Sequence, residues 1–502
     1  MTNFLLCLHR SLWGIPVLVL VLAAGLYIGL RTRFVQLRLF PRAVKELIYK
    51  LRSGSEPGGI SPFQALCTAL AATVGTGNLV GVAGAICLGG PGAVFWMWVC
   101  GILGMGLKFA EVTLALDLPG GEGIGGPMYM IQKGMGRKWM PMAYAYAAFG
   151  LIAAFGVGNA TQVGAVISSL RSLLEGSGRV LSPRQELGLG IALAVPVSAV
   201  LLGGAGRIAS AAERIIPFAA GAYILLCLWV LFTHMKAVPE ALRQIVVGAT
   251  APRAVTGGVV GTALQALRVG CARGVFTNEA GMGTASMAHA CAKVRHPAEQ
   301  GLLGIVEVFL DTIVICTLTA LVILVSGVPI PYGVDAGGTL TGTAFSAVCG
   351  GWVHYFLTGA LCCFAFATVL GWGLYGVRCG QFLFKRDIWG VFALCQTATV
   401  VLAPLIRNET LWLFAEVVNG AMAIPNLIAL VTLAPRLRRL TIEYERNPGL
   451  QKPEEVPYAD LDQRQPLRAL SHAEIPSPCR GRQEGRQEDL PPEHRSARPS
   501  HS

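Results

Sequence analysis

The sequence predicts an all-α polytopic membrane protein with about eleven transmembrane helices. The first reason is composition: 53% of the 502 residues are hydrophobic and 14% are charged, whereas soluble proteins carry about 25% charged residues. The second reason is that 20 of the 68 charged residues fall within residues 441–502. The third is a series of apolar stretches near the roughly 20 residues that cross a bilayer. A chain this poor in charge before residue 441 cannot cover itself with a soluble surface.

Eleven apolar stretches are long enough to be predicted as spans. The first is followed by Arg31 and Arg33 and is too long for a cleaved signal peptide, so it is predicted as a retained helix. The predicted spans are residues 12–30, 61–89, 92–116, 140–170, 187–203, 214–233, 255–290, 298–326, 352–377, 388–406 and 411–434.

The positive charges predict the orientation. Segments on one side of the predicted spans carry 20 Lys and Arg residues, and those on the other side carry 8. Because basic loops stay inside, the N-terminus is predicted outside and the C-terminus in the cytoplasm, in a bacterial-type plasma (inner) membrane. The net charge of +12 has the same origin. Its basic residues cluster between apolar stretches and face the lipid bilayer, so nucleic acid is not an expected partner.

Composition divides the chain into five predicted regions. Phe34, Leu37, Leu47 and Leu51 alternate with basic residues at near-helical spacing, which predicts an amphipathic cytoplasmic segment. The tail contains no Phe or Trp and is rich in Pro, Arg and Glu, which predicts disorder. The regions are an extra N-terminal helix (1–30), the amphipathic segment (31–60), a first five-helix repeat with the loop after it (61–254), a second five-helix repeat (255–440) and the tail (441–502).

Glycine and polar residues interrupt two spans at mid-depth, in the runs 71–78 and 273–283. Unpaired backbone groups cost several kcal/mol each in hydrocarbon, so irregular backbone there must line a cavity or be buried in protein. Exposed carbonyls bind cations, and helix N-termini bind anions. Matching interruptions in two halves of a chain indicate a transporter site. If the first span is an addition to the core, the two interruptions fall in helices one and six of a ten-helix core made of two five-helix repeats. Because each repeat has an odd number of helices, the two repeats are inverted relative to one another in the membrane.

Ionisable residues inside spans need partners, since a charge at mid-bilayer costs upward of about 2.5–3.5 kcal/mol. Lys108 and Glu111 lie one turn apart and are predicted as a structural pair. Arg273 and Glu279 are predicted to pair across the second run or to gate it. Asp311 shares a helix face with Glu307, four residues before it. Structural hydrogen bonding is the first interpretation of that pair, and proton or cation coupling is the alternative.

The sequence contains no enzyme motif. HExxH, GxSxG and phosphate-binding loops are absent, none of the eight His is paired at metal-ligand spacing, and the 14 Cys include no CxxC. The prediction is a protein that is not an enzyme and has no cofactor. A channel is the more serious competitor, although no repeated filter sequence is present.

Several separated motifs carry a family resemblance. They are residues 63–66, 72–78, 89–98, 125–129 and 278–283, together with Asp311-Thr312. In these motifs the chain resembles the alanine or glycine:cation symporter family over about residues 12–435, with Thr277 where that family usually has Ser. The resemblance implies a leucine-transporter-like inverted repeat with one extra N-terminal helix. It also implies sodium-coupled uptake of alanine or glycine by alternating access.

The resemblance further implies a substrate site. An amino-acid zwitterion needs donors at its carboxylate and acceptors at its ammonium. The implied carboxylate site is Gly75, Thr76, Gly77 and Asn78, and the implied ammonium site is Phe276, Thr277 and Asn278. Trp372 is implied to cap a methyl-sized pocket. Gln162 is implied as a further polar wall, and a helix–helix hydrogen bond is an equally good interpretation of it.

For sodium, the resemblance implies the carbonyls of Ala71, Val74 and Ala365 and the hydroxyl of Thr368. Neutral oxygens suffice for a weakly held monovalent ion, and the lack of a carboxylate there favours sodium over a proton. Sodium is then the coupling ion and not a cofactor. Two alternatives stay open: a proton-coupled symporter that uses Asp311, and a transporter-derived channel or sensor, which the charged tail suggests.

Overall fold

The computed structural model describes residues 4–6, 8, 12, 16–52, 59–175, 178–260, 262–405 and 408–447. Within these residues the chain is almost entirely helical, and no β-sheet forms. The last helix continues to Arg446, beyond the predicted start of the tail at residue 441. From residue 448 onward, the predicted disordered tail lies outside the described residues.

The first half of the chain forms helices α1 to α10, joined by short helical segments. The order is α1 (Pro16–Arg31), α2 (Phe40–Arg52), α3 (Pro62–Thr73), α4 (Val82–Gly89), α5 (Gly92–Asp117), α6 (Met140–Phe155), α7 (Thr161–Glu175), α8 (Pro183–Leu201), α9 (Gly204–Thr233) and α10 (Val238–Thr250). Short helical segments lie at Val35–Arg38, Gly77–Gly81, Pro127–Met130, Ile131–Met135, Arg137–Trp139, Gly156–Ala160, Met235–Ala237 and Pro252–Thr256.

The second half begins with another interrupted helix. Its order is α11 (Ala263–Asn278), α12 (Ala285–His289), α13 (Pro297–Val308), α14 (Thr317–Val325), α15 (Gly337–Cys349), α16 (Val353–Phe384), α17 (Trp389–Leu402) and α18 (Asn408–Arg446). A π-helical segment, Phe309–Cys316, joins α13 to α14, and a short turn, Ala403–Leu405, follows α17.

Seven helical stretches in the described residues are long and apolar enough to cross a membrane, and an eighth results if the pair α3 and α4 counts as one bent span. Two apolar helices, Pro16–Arg31 and Trp389–Leu405, are shorter. The predicted count of eleven therefore stays a prediction. The seven are Gly92–Asp117, Arg137–Glu175, Pro183–Leu201, Gly204–Thr233, Pro297–Val325, Val353–Phe384 and Glu416–Arg446.

Two helices between the spans, α10 and α15, have no counterpart among the predicted spans. In α10 an apolar face packs on α5, and in α15 Thr341 donates a hydrogen bond to the Leu79 carbonyl (2.8 Å). The helix α9 also begins at Gly204 rather than at residue 214, so Arg207 lies on a helix and not in a loop. An arginine side chain is long enough to reach water from within the end of a helix. The charge of Arg207 therefore suggested a loop where the helix has already begun.

The long helix α5 is the centre of the fold, with α1, α10, α11 and α13 packed along it. Close approach depends on glycine. A Cβ on Gly92 would overlap the Gly248 backbone of α10, and a Cβ on Gly270 of α11 would overlap the Ala93 backbone. Small residues at helix crossings are how membrane helices gain packing contacts without a hydrophobic driving force. This arrangement holds both interrupted helices against α5 and α13.

Candidate functional site

The first break, residues 74–76, separates α3 from the π-helical segment Gly77–Gly81 that leads into α4, and the two halves are bent by 52°. The α3 helix begins with a capping box between Ser61 and Gln64 and ends at Thr73. Beyond it, the Gly75 N–H donates to Asn78 Oδ1 at 2.9 Å. Asn78 thus replaces a backbone acceptor with its own side chain. This explains why an asparagine within a glycine run interrupts the helix.

The second break, residues 279–284, follows α11. The helix continues through Asn278, so the irregular backbone begins later than the predicted start at residue 273. Glu279 has φ of 52°, Gly281 of 91° and Gly283 of 80°. Glycine adopts left-handed conformations at little cost, whereas Glu279 is a non-glycine residue with positive φ. Asn278 Oδ1 accepts the Ala280 N–H at 2.9 Å and caps the end of the helix.

The two breaks lie against one another. A Cβ on Gly77 would come within 2.8 Å of Thr277 Cγ2. Asn78 Nδ2 donates to Asp311 Oδ1 at 2.7 Å, and Asn278 Nδ2 donates to Thr312 Oγ1 at 3.1 Å. The Thr312 hydroxyl in turn donates to Asp311 Oδ2 at 2.9 Å. One hydrogen-bond chain on a π-helical segment therefore joins both breaks, and such segments are frequent at functional sites.

The helix α16 adds a third wall. Thr368 Oγ1 donates to the Ala71 carbonyl and to the Phe364 carbonyl, both at 2.9 Å. A Cβ on Gly75 would lie 3.2 Å from Thr368 Oγ1 and 3.7 Å from Gln162 Oε1. Gln162 Nε2 donates to the Val157 carbonyl at 3.3 Å, while its Oε1 is buried and has no partner within the described residues.

The remaining predicted site residues are buried or half-buried around these contacts. Trp372 packs over Gly158, where a Cβ would overlap the indole, and its Nε1 donates to Glu279 Oε1 at 3.2 Å. The Thr277 hydroxyl donates to the carbonyls of its own helix. The other predicted residues are the buried Thr76, Val74 and Ala365 and the half-buried Phe276.

The predicted pairing of Arg273 with Glu279 is wrong. Arg273 donates to Glu416 Oε1 at 3.2 Å and to Asp335 Oδ2 at 3.5 Å. Glu279 instead accepts from Thr284 Oγ1 at 2.6 Å and from Trp372. The left-handed turn at Glu279 carries its side chain away from α11, which leaves Arg273 to bridge α18 and the segment before α15.

The predicted pairing of Lys108 with Glu111 is also wrong. Lys108 is fully buried and pairs with Glu307 at 3.1 Å. His289 Nε2 contacts the other carboxylate oxygen of Glu307 at 2.9 Å, and Gln300 Nε2 contacts both His289 Nδ1 (2.7 Å) and the Pro62 carbonyl (3.2 Å). This network ties the start of α3 and the end of α12 to α5 and α13.

Sequence reasoning missed the partners of Glu111. Its Oε1 accepts the N–H groups of Gly281 and Gly283 and the amide of Asn426. Helical spacing suggested a neighbour one turn away, and nothing in the local sequence indicates contacts this distant. The one feature of the sequence that could have indicated these contacts is a carboxylate, Glu111, within an apolar span between two glycine-rich runs. In the part of the chain that the structure describes, no group of three or more His, Cys, Asp or Glu residues is placed to hold a metal ion.

Comparison with known proteins identifies a family. Residues 1–457 match the family described as "Sodium:alanine symporter family". The "Sodium/alanine symporter AgcS" of Methanococcus maripaludis is 39% identical over 436 residues, which cover 85% of this chain and 93% of that one. A "Probable sodium/glutamine symporter GlnT" of Bacillus subtilis is 36% identical over 447 residues, covering 87% and 89%.

The fold has a solved counterpart. The crystal structure of MhsT in complex with L-phenylalanine superposes with a TM-score of 0.50 at 13% identity and covers 78% of this chain and 99% of that chain. MhsT has the leucine-transporter fold. The predicted all-α, leucine-transporter-like architecture is therefore confirmed.

Proposed function

Because the chain belongs to the sodium:alanine symporter family and is therefore a multi-pass, cation-coupled amino-acid symporter rather than an enzyme, we propose that it carries alanine or glycine together with sodium ions. The two breaks form the central site, and alternating access exposes that site to each side in turn. Uptake runs from outside to cytoplasm, with the N-terminus outside, the C-terminus inside and the chain in a bacterial-type plasma membrane.

The substrate site follows from the ends of the broken helices. The half-helix that resumes at Gly77 presents its positive N-terminal end, which suits a carboxylate. The end of α11 at Thr277 and Asn278 presents carbonyl oxygens, which suit an ammonium group. Gln162 Oε1, which has no hydrogen-bond partner within the described residues, adds an acceptor for the ammonium group near the first break. A buried acceptor without a partner is costly, so its presence beside the first break supports an intended ligand.

The size of the site supports a small side chain. Trp372 fills the space over Gly158, and Thr277 fills the space over Gly77. Large substrates would have to displace the indole. The similar GlnT is named as a probable sodium/glutamine symporter. The uptake of alanine, glycine and glutamine should therefore be compared directly.

The proposed sodium site is made of neutral oxygens. Its ligands are the carbonyls of Ala71, Val74 and Ala365 and the hydroxyl of Thr368. The observation that carries this proposal is the 2.9 Å approach of Thr368 Oγ1 to the Ala71 carbonyl, because it places two of the ligands in direct contact across two helices. Sodium bound between them would replace that hydrogen bond with two ion–oxygen contacts and hold α16 against the first break.

Proton coupling is the second candidate. Asp311 is fully buried and accepts hydrogen bonds from two neutral donors, Asn78 and Thr312. A carboxylate in such surroundings favours taking up a cation or a proton. A relative from Bacillus subtilis, 34% identical over 467 residues, bears the name "Putative sodium/proton-dependent alanine carrier protein YrbD". A transporter-derived channel or sensor is the alternative if no uphill movement occurs.

The test is uptake of labelled L-alanine, glycine and L-glutamine into proteoliposomes. Each substrate is offered with an inward sodium gradient, with an inward proton gradient at equal sodium, and with potassium in place of sodium. Accumulation above equilibrium that requires sodium supports the proposal, and accumulation driven by protons alone supports the second candidate. Asn78→Ala should abolish accumulation, because it removes both the Gly75 cap and the link to Asp311. Uptake unchanged in that variant would contradict the proposed site.

A further inference from the structure

The backbone of the second break is held by side chains from elsewhere in the chain. The N–H groups of Gly281 and Gly283 donate to Glu111 Oε1 at 2.8 and 3.0 Å, across from α5. Inside a membrane no water replaces a missing helix hydrogen bond, so each such group needs a protein partner. One carboxylate oxygen on a neighbouring helix therefore supplies both.

Asn426 of α18 completes the same arrangement from the opposite side. Its Nδ2 donates to Glu111 Oε1 at 2.8 Å and to the Gly281 carbonyl at 2.9 Å. Both contacts are to acceptors, which fixes the orientation of the amide. The Met282 carbonyl accepts from the Tyr146 hydroxyl of α6 at 2.9 Å. Helices α5, α6 and α18 thus meet at a six-residue segment that directly follows Asn278.

We propose that Glu111 and Asn426 are positioning residues of transport: together they hold the second break in the conformation that presents the end of α11 to the substrate. This inference rests on the proposed substrate site. Neither residue needs to touch the substrate. Each acts through the backbone of Gly281 and Gly283, whose left-handed conformations depend on these external hydrogen bonds.

Glu111 acts as an acceptor. All three of its hydrogen bonds go to Oε1, while Oε2 is buried without a hydrogen-bond partner within the described residues. Glutamine keeps one carbonyl oxygen and the same length, so Glu111→Gln preserves the three contacts. Glu111→Ala removes them and leaves two buried N–H groups unpaired. A role for the charge itself predicts that the two variants fail alike.

The experiment compares wild type, Glu111→Gln, Glu111→Ala and Asn426→Ala in reconstituted uptake and in equilibrium binding of L-alanine. Glu299→Gln and Glu299→Ala serve as matched controls, because Glu299 is a buried carboxylate that pairs with Arg295 near the start of α13. We expect Glu111→Ala to raise KM and Kd for alanine at least tenfold and Asn426→Ala to raise them less. Glu111→Gln should stay within about threefold of wild type.

Hydrogen exchange gives a second readout that does not depend on activity. The amides of Gly281 and Gly283 should exchange at least tenfold faster in Glu111→Ala than in wild type or Glu111→Gln. Faster exchange without a change in KM would overturn the positioning role, and equal failure of the Gln and Ala variants would overturn the acceptor role. If wild type transports no amino acid, the proposed function fails by itself. Unchanged exchange in Glu111→Ala would then still refute the role of Glu111 in holding the second break.

Discussion

The Lys108–Glu307 ion pair allows a quantitative test of how the fold tolerates charge within the membrane. Both side chains are almost fully buried, and their charged atoms lie 3.1 Å apart. At an effective dielectric constant of about 20, this distance corresponds to an attraction of roughly 5 kcal/mol. Desolvation offsets most of that attraction, but a single buried charge without its partner costs about 3–5 kcal/mol.

We therefore expect Lys108→Met and Glu307→Gln each to lower the free energy of unfolding by about 3–5 kcal/mol. In the double variant no net charge remains, and the glutamine oxygen still accepts from His289. The free energy of unfolding of the double variant should fall by about 1–3 kcal/mol, which is the cost of one unpaired amide. The double variant is thus expected to be more stable than either single variant.

The measurement is an equilibrium unfolding titration with SDS in mixed micelles, monitored by tryptophan fluorescence, on wild type and the three variants. Arg243→Met with Glu240→Gln is the control pair, since both of those side chains are exposed; exposed ion pairs contribute about 0–1 kcal/mol. Additive losses in the Lys108 and Glu307 variants would refute the reasoning, because independent sites add and paired charges do not.

Three further outcomes test the site. Thr368→Val should raise the sodium concentration for half-maximal uptake at least tenfold while Thr368→Ser keeps it near wild type; equal effects would exclude the hydroxyl as a ligand. Gly77→Ala should abolish uptake, because its Cβ would meet Thr277 Cγ2 at 2.8 Å, whereas Gly81→Ala, which has nothing within 4 Å, should leave uptake unchanged. Arg273→Gln removes two ion pairs and should raise passive leak of substrate from preloaded proteoliposomes; leak equal to wild type would contradict a gating role.

The position of the first break could be predicted because its cause is local. Asn78 caps Gly75 three residues away, and a polar residue within glycines is visible in the sequence. The second break was predicted to start too early, at residue 273. There the helix continues, because Arg273 finds its partners on other elements, and an arginine paired across helices does not interrupt its own.

The partners of Lys108 and Glu111 could not be predicted for a related reason. Spacing of one helical turn suggests a pair, yet Glu307 and Asn426 are 199 and 315 residues distant from the side chains that they contact. A buried polar atom is costly unless it forms a hydrogen bond. The topology of the chain determines which donors and acceptors lie within its reach. Only the folded arrangement supplies that information.

The difference between the two breaks has a consequence for how the protein is made. The first break satisfies its backbone with a side chain three residues away, so it can form as soon as α3 and α4 enter the membrane. The second depends on Asn426 of α18, which is synthesised after both breaks. Until α18 is inserted, the Gly281 carbonyl lacks its donor. The second break is therefore completed only once α18 is in the membrane, and a chain truncated before α18 is expected to leave the Gly281 carbonyl without this donor.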